Sequence, residues 1–206
     1  MLIINANEEA KSYLARLPSA YKEVEYIESN GNQYLDSLYN PNYNTKIACK
    51  FAHNEHTIDT PVFGTRGYNS ANQYTLWSHP TEYGTSTGVS QCLFNSLQQN
   101  LVNYAQGTII EFEYSKTGGK YHNTTFTRSP SSGTCNYSMI IFGLRTQNNI
   151  DNRKFSGKMY YFKIYDNNNL VRDLVPCYRK SDNVVGMYDL VNDVFYTNQG
   201  SGSFTK

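Results

Sequence analysis

The feature that most narrows the fold is a two-residue period in apolar side chains, repeated in short segments and built largely from aromatic rings. From Tyr21 onward, Val24 and Tyr26 alternate with Glu23, Glu25 and Glu28 before Ser29-Asn30-Gly31-Asn32 turns the chain. Ile47, Cys49 and Phe51 share one face of an extended segment, and Lys46 and Lys50 share the other. Ile110, Phe112 and Tyr114 point one way while Glu111 and Glu113 point the other. Over 158–166 the expected inward set is Tyr160, Phe162 and Ile164, with Tyr161, Lys163 and Tyr165 opposite. Strands send alternate side chains to opposite faces, so a period of two predicts half-buried strands. The run 138–144 (SMIIFGL) is apolar on both faces and predicts a central strand covered on both sides.

Turn chemistry separates these segments at Gly118-Gly119, at Ser129-Pro130-Ser131-Ser132-Gly133, over 166–169 and at Asn192-Asp193. The stretch 189–197 (DLVNDVFYT) predicts a tight hairpin. No strand–helix alternation occurs, which disfavours a parallel α/β fold. Val62-Phe63-Gly64-Thr65-Arg66 echoes Ile141-Phe142-Gly143-Leu144-Arg145, as paired strands of a sandwich can. The predicted architecture is all-β, a two-sheet antiparallel β-sandwich. One helix is expected, over 7–17 (NEEAKSYLARL), capped by Asn7 and closed by Pro18. It divides the chain into an N-terminal helix or arm, 1–17, and a β domain, 18–206. The helix either docks elsewhere or folds against its own domain.

A chain of 206 residues with 19 Tyr and 10 Phe suits one sandwich with a large aromatic core. Its 18 basic and 17 acidic side chains are scattered and leave a net charge of +1. No basic stripe exists to neutralise a phosphate backbone, which argues against nucleic-acid binding, and none supports a membrane anchor. Met1 to Asn7 carries a Leu2-Ile3-Ile4 run without a basic flank, so no signal peptide is expected, and no apolar stretch approaches about 18 residues. Cys49, Cys92, Cys135 and Cys177 form no CxxC pair and are expected as buried free thiols.

Two stretches carry a family resemblance. They are 17–36 (LPSAYKEVEYIESNGNQYLD) and 155–204, whose core is GKMYYFKIYDNNNLVRDLVPCYRKSDNVVGMYDLVNDVFYTNQGSGSF. Together they resemble laminin-G-like, concanavalin A-like jelly-roll domains of phage and prophage virion proteins and of surface proteins of gut bacteria. The resemblance covers 17–206 in outline, with 65–135 matching by pattern alone. It implies a jelly roll, usually non-catalytic, used for sugar binding, adhesion or decoration of larger assemblies. It carries over no site, because the shared segments read as scaffold. Arg172, Asp173, Arg179, Lys180 and Asp182 then serve as strand-end charges holding hairpins together. Calcium enters by this resemblance only; Asp36, Asp59, Asp151 and Asp166 are available, without a recognisable acidic loop.

Sugar recognition needs an aromatic ring against the apolar face of a pyranose, with polar side chains bonding its hydroxyls. The stretch 66–83 supplies Arg66, Tyr68, Asn72, Tyr74, Trp77 and Tyr83 as candidate glycan or partner contacts. The competing reading makes Trp77 a core residue. Glycoside hydrolysis needs two carboxyl groups about 5–10 Å apart. Glu23/Glu25 and Glu111/Glu113 share strand faces, but neither pair extends into a glucanase-type acidic strand. His53-Asn54-Glu55-His56 is short of ligands for a metal. The expected function is therefore a non-enzymatic virion structural module (capsid decoration, head fibre or tail-associated), without a cofactor. It would attach to other virion proteins through residues 1–17, with Leu2, Ile3, Ile4, Tyr13 and Leu14 as the docking arm. Homo-oligomerisation and adhesion to cell-surface glycans go with that reading. A stand-alone carbohydrate-binding adhesin is the alternative, and a glycoside hydrolase ranks below both.

Overall fold

The computed structural model describes residues 16–54, 60–68, 72–78, 90–95 and 97–206. The predicted helix over 7–17 lies outside them except for Arg16 and Leu17. The strands of the first half are β1 (Tyr21–Glu23), β2 (Ile27–Asn30), β3 (Leu35–Asp36), β4 (Thr45–His53), β5 (Thr60–Arg66), β6 (Tyr74–Ser78), β7 (Gln91–Phe94) and β8 (Leu97–Asn100). Next come β9 (Ile109–Ser115), β10 (Gly118–Tyr121), β11 (Thr124–Thr127), β12 (Ile140–Ile141), β13 (Arg145–Thr146) and β14 (Asn149–Ile150). The C-terminal strands are β15 (Ser156–Asp166), β16 (Asn169–Arg179), β17 (Val185–Asp189) and β18 (Val194–Thr197).

They form two sheets. The larger runs β11-β10-β9-β4-β15-β16-β17-β18, with β1 paired to β16 and β2 to β15. The smaller runs β14-β13-β5-β6-β7-β8, and β12 pairs with both β3 and β5. Apart from β13 beside β5, which is parallel, neighbouring strands are antiparallel. The inner faces enclose one apolar core, where Phe63 of the smaller sheet meets Phe162 of the larger edge-on at 5.2 Å. This is an all-β sandwich of two largely antiparallel sheets.

Local sequence accounts for much of it. In β4 the buried set includes Ile47, Cys49 and Phe51; in β9 it is Ile110, Phe112 and Tyr114, with Glu111 and Glu113 exposed. Asn167 and Asn168 link β15 to β16 with φ of 52° and 66°, the left-handed pair that a two-residue hairpin turn requires and that Asn tolerates. The 189–197 hairpin forms as predicted, and the buried Asp189 carboxylate ties its turn by accepting from the Asp173 and Val191 amides and from Asn192. Arg172 lies 3.7 Å from Asp189, Lys163 3.3 Å from Asp173 and Arg179 2.6 Å from Asp182, while Lys180 donates to the Ser19 carbonyl. All four cysteines are buried free thiols.

Three expectations are corrected. Segment 138–144 is buried, but only Ile140–Ile141 is strand. Phe142 turns the chain at a φ of 66° and its amide donates to the Val62 carbonyl, after which β13 runs parallel to β5. The two echoing segments are thus neighbours. Second, Tyr160 is not inward. Met159 pairs with Phe51 and Tyr161 with Lys50, so Tyr160 is the extra residue of a β-bulge and Met159 takes the core position. Third, the core residue near Tyr26 is Ile27; Tyr26 stands outside against Tyr160, 5.6 Å between ring centres.

The outer face of the larger sheet is not bare. β15 and β16 pair over Phe162–Asp166 and then diverge, and β1 and β2 fill the gap. Leu17, Val175, Cys177 and Tyr188 make a second small apolar cluster there, with Tyr21 packed 4.8 Å from Tyr188 and 4.9 Å from Phe195.

Candidate functional site

Next to that cluster the outer face holds a shallow groove of about 430 Å³. Its floor is Ala48 of β4 and Val175 of β16, both buried. Tyr160, Tyr161 and Tyr165 project from β15 around it, and Arg16, Glu113, Lys163 and Asp173 complete the lining. The volume lies in the range of small-ligand sites. The bulge at Tyr160 builds this site, because it brings two consecutive tyrosines to one face where a regular strand would show one.

The charges are mutually engaged. Lys46 lies 2.9 Å from Glu113, and Lys163 lies 3.3 Å from Asp173. Lysine ammonium groups also sit over three outer rings: Lys46 over Tyr165, Lys50 over Tyr160 and Lys158 over Tyr26, the last at 4.1 Å. Among the described residues no cation covers Tyr161. Its half-buried ring faces the groove, and burial, reinforced by the Glu111 and Glu113 carboxylates, pushes its phenol up to about 12. At neutral pH it is a neutral ring with a donor hydroxyl, ringed by carboxylates and ammonium groups.

The residues singled out from sequence lie elsewhere. β5 and β6 belong to the smaller sheet, so Arg66, Tyr68, Asn72, Tyr74 and Trp77 do not meet the groove. Tyr68 is 73% exposed, whereas Tyr74 is fully buried with its hydroxyl donating to the Gly133 carbonyl at 2.8 Å. Trp77 is buried beneath Arg153, whose guanidinium lies 4.8 Å from the ring centre. Tyr74 and Trp77 are therefore scaffold rings, unable to stack on a sugar from these positions. Arg66 donates to Thr146, and Asn72 has a φ of 54° in the turn before β6. Tyr83 and the arm residues Leu2, Ile3, Ile4, Tyr13 and Leu14 lie outside the described residues. Arg16 and Leu17 contact the chain's own sheet: Arg16 bonds Glu23, and Leu17 is buried in the outer cluster.

The acids considered for calcium do not converge. Asp36 pairs with Arg145 at 2.6 Å, Asp151 bonds Arg153, and Asp166 accepts from Asn42, while Asp59 lies outside the described residues. Among the described residues no three His, Cys, Asp or Glu side chains form a group that could hold a metal. His53 is buried, 3.0 Å from the Thr60 hydroxyl. A second cleft, about 480 Å³, lies between Arg179–Asp182 and the C-terminal loop, but its cation and acid pair with each other and its ring, Phe204, is buried.

No family model matches the sequence, and no curated protein matches it. Among solved structures, a native heptameric SAP-like pentraxin from Limulus polyphemus is similar over 71% of this chain and 76% of its own, at 10% identity and a TM-score of 0.44.

The groove was partly visible in the sequence. Tyr161, Lys163 and Tyr165 alternate with Phe162 and Ile164, and aromatic rings in the outward phase of a strand are the available signal. The bulge at Tyr160 and the approach of Ala48, Glu113 and Asp173 depend on strand order, which no local pattern encodes.

Proposed function

We propose that this chain is a non-enzymatic binding module whose groove takes a saccharide. The observation that carries the proposal is the Tyr161 ring, facing a groove with an apolar floor and free of any covering cation among the described residues. Such a ring stacks on the apolar face of a pyranose, while Lys163, Asp173, Glu113 and Arg16 stand where hydroxyl groups need donors and acceptors. The acids do not suit hydrolysis. Glu113 and Asp173 share one row of the sheet, with Ala48 and Lys163 between them. Three strand spacings make that roughly 14 Å from backbone to backbone, and each acid is held by a lysine.

The test is a glycan array followed by calorimetry on the wild type and on Tyr161→Ala. A bound glycan is expected to lose at least tenfold in affinity in the variant, with little change in melting temperature. Equal binding by the variant, or no glycan bound at all, overturns the reading. Display on a virion, which the family resemblance implies, extends the same proposal, since an adhesion module needs a carrier. Negative-stain images of particles with and without the protein test that part.

A further inference from the structure

On the outer face of the larger sheet, ammonium groups and tyrosine rings are matched in a pattern that breaks at the groove. β4 alternates the core residues Ile47, Cys49 and Phe51 with Lys46, Ala48 and Lys50 on the outer side. Lys46 reaches over Tyr165 and Lys50 over Tyr160. Between them Ala48 offers only a methyl group, which is groove floor. The groove is open at this point because the side chain there is short. Among the described residues Tyr161 is the β15 tyrosine left without an ammonium over its ring.

The charges around that opening suit a cation. Glu111 lies in the row of Tyr161, with Lys50 between them, and Glu113 lies in the next row beyond Ala48 and Lys163. The cations near the groove are engaged: Lys163 lies against Asp173, Lys46 against Glu113, and Arg16 bonds Glu23. Among the described residues Glu111 has no ion pair. The Glu111 and Glu113 carboxylates are also the ionised groups that raise the Tyr161 phenol.

We propose that the saccharide of this groove carries a free amino group, whose ammonium settles beside the Tyr161 ring above Ala48, where a lysine of β4 would otherwise reach. The inference rests on the saccharide reading and names the class of sugar, a hexosamine without its acetyl group. The ring face attracts the cation as the neighbouring tyrosines attract their lysines. Glu111 and Glu113 add to that attraction, and the pyranose keeps an apolar face for stacking. N-acetylation removes the charge, so the groove discriminates against the acetylated sugar.

The experiment is calorimetry on the full chain at pH 6 and fixed salt, with glucosamine and galactosamine trimers, each free and N-acetylated. One free-amine trimer is expected to bind at least about fivefold tighter than its N-acetylated form. Tyr161→Phe should keep that ratio, because the ring face remains. Glu111→Gln should lower it at least twofold without changing the affinity for the N-acetylated trimer. Ala48→Lys should erase it by supplying an internal ammonium, and the other two variants decide the matter if this one does not fold. N-acetylated trimers that bind as tightly as the free amines overturn the amino group and leave the saccharide reading intact. So does a failure of both amine trimers while other glycans bind on the array. A preference that survives Tyr161→Ala overturns it as well, since the charge is then read elsewhere on the surface. If no glycan binds at all, both readings fall.

Discussion

The guanidinium carbon of Arg128 lies 5.6 Å from the centre of the Tyr114 ring, inside the sandwich where β9 of the larger sheet faces β7 of the smaller. Phe94 and Phe126 flank the same group at 5.7 and 5.8 Å, and Arg128 is only 7% exposed. Its Nη2 donates to the Leu97 carbonyl at 2.8 Å, and among the described residues no carboxylate pairs with it. Three rings from two sheets and one carbonyl thus do what a counter-ion usually does, since ring faces carry the negative end of the aromatic quadrupole.

Removing that side chain leaves a buried carbonyl without its donor and a gap between the sheets. Arg128→Ala is expected to lower the unfolding free energy by about 2–4 kcal/mol. Guanidinium chloride titration checks this, and a loss under about 1 kcal/mol would show that Arg128 contributes no more than an exposed charge does.

Tyr74 and Trp77 act on stability, not on recognition. Trp77→Ala is expected to cost about 3–5 kcal/mol by emptying a buried site. Tyr74→Phe is expected to cost about 0.5–1.5 kcal/mol through loss of the hydrogen bond to Gly133. Any glycan affinity stays within twofold for Tyr74→Phe, in contrast to Tyr161→Ala. Thermal unfolding and calorimetry on the same samples separate the two effects.

Alkaline pH destabilises the fold. Burial pushes the Cys92 thiol up to about 11 and the Cys177 thiol up to about 12, from an ordinary 9.0. Burial likewise pushes the Tyr121 phenol up to about 12, from 10.0, as it does the Tyr161 phenol. Each group holds its proton longer when folded, so the unfolded chain binds fewer protons above pH 9. The stability they contribute is fully present below the unfolded values and is lost as pH rises from about 9 to about 12. Urea unfolding at pH 7, 9.5 and 10.5 should give one value at neutrality and falling values above it. In the same native samples at pH 8 no thiol should react with Ellman's reagent, and all four should react in denaturant.

The turn between β15 and β16 has room for improvement. Asn168 holds a φ of 66°, which costs glycine nothing and which an Asn-Gly pair favours in a two-residue hairpin. Asn168→Gly should raise stability by up to about 1 kcal/mol, the left-handed strain it relieves outweighing the backbone entropy that glycine adds to the unfolded chain. A measured loss greater than about 0.5 kcal/mol would indicate that the Asn168 side chain contributes something beyond backbone conformation.

By itself, the sequence determined the fold class, the inward phase of β4, β9 and the second half of β15, and the hairpins at 166–169 and 189–197. These are local matters: an extended backbone sends alternate side chains to opposite faces, and Asn or Gly accepts the left-handed turn whatever lies farther away. The tertiary structure alone decided the rest. Placing Met159 rather than Tyr160 in the core requires a bulge chosen by the pairing of β15 with β4, and segment 138–144 keeps only Ile140–Ile141 as strand, between β3 and β5, because Phe142 turns the chain immediately after them. The groove unites side chains from β4, β9, β15 and β16, far apart in the chain, and their meeting follows from strand order. Strand order is set by which arrangement buries the most apolar surface across the whole domain, and no window of a few residues contains that sum.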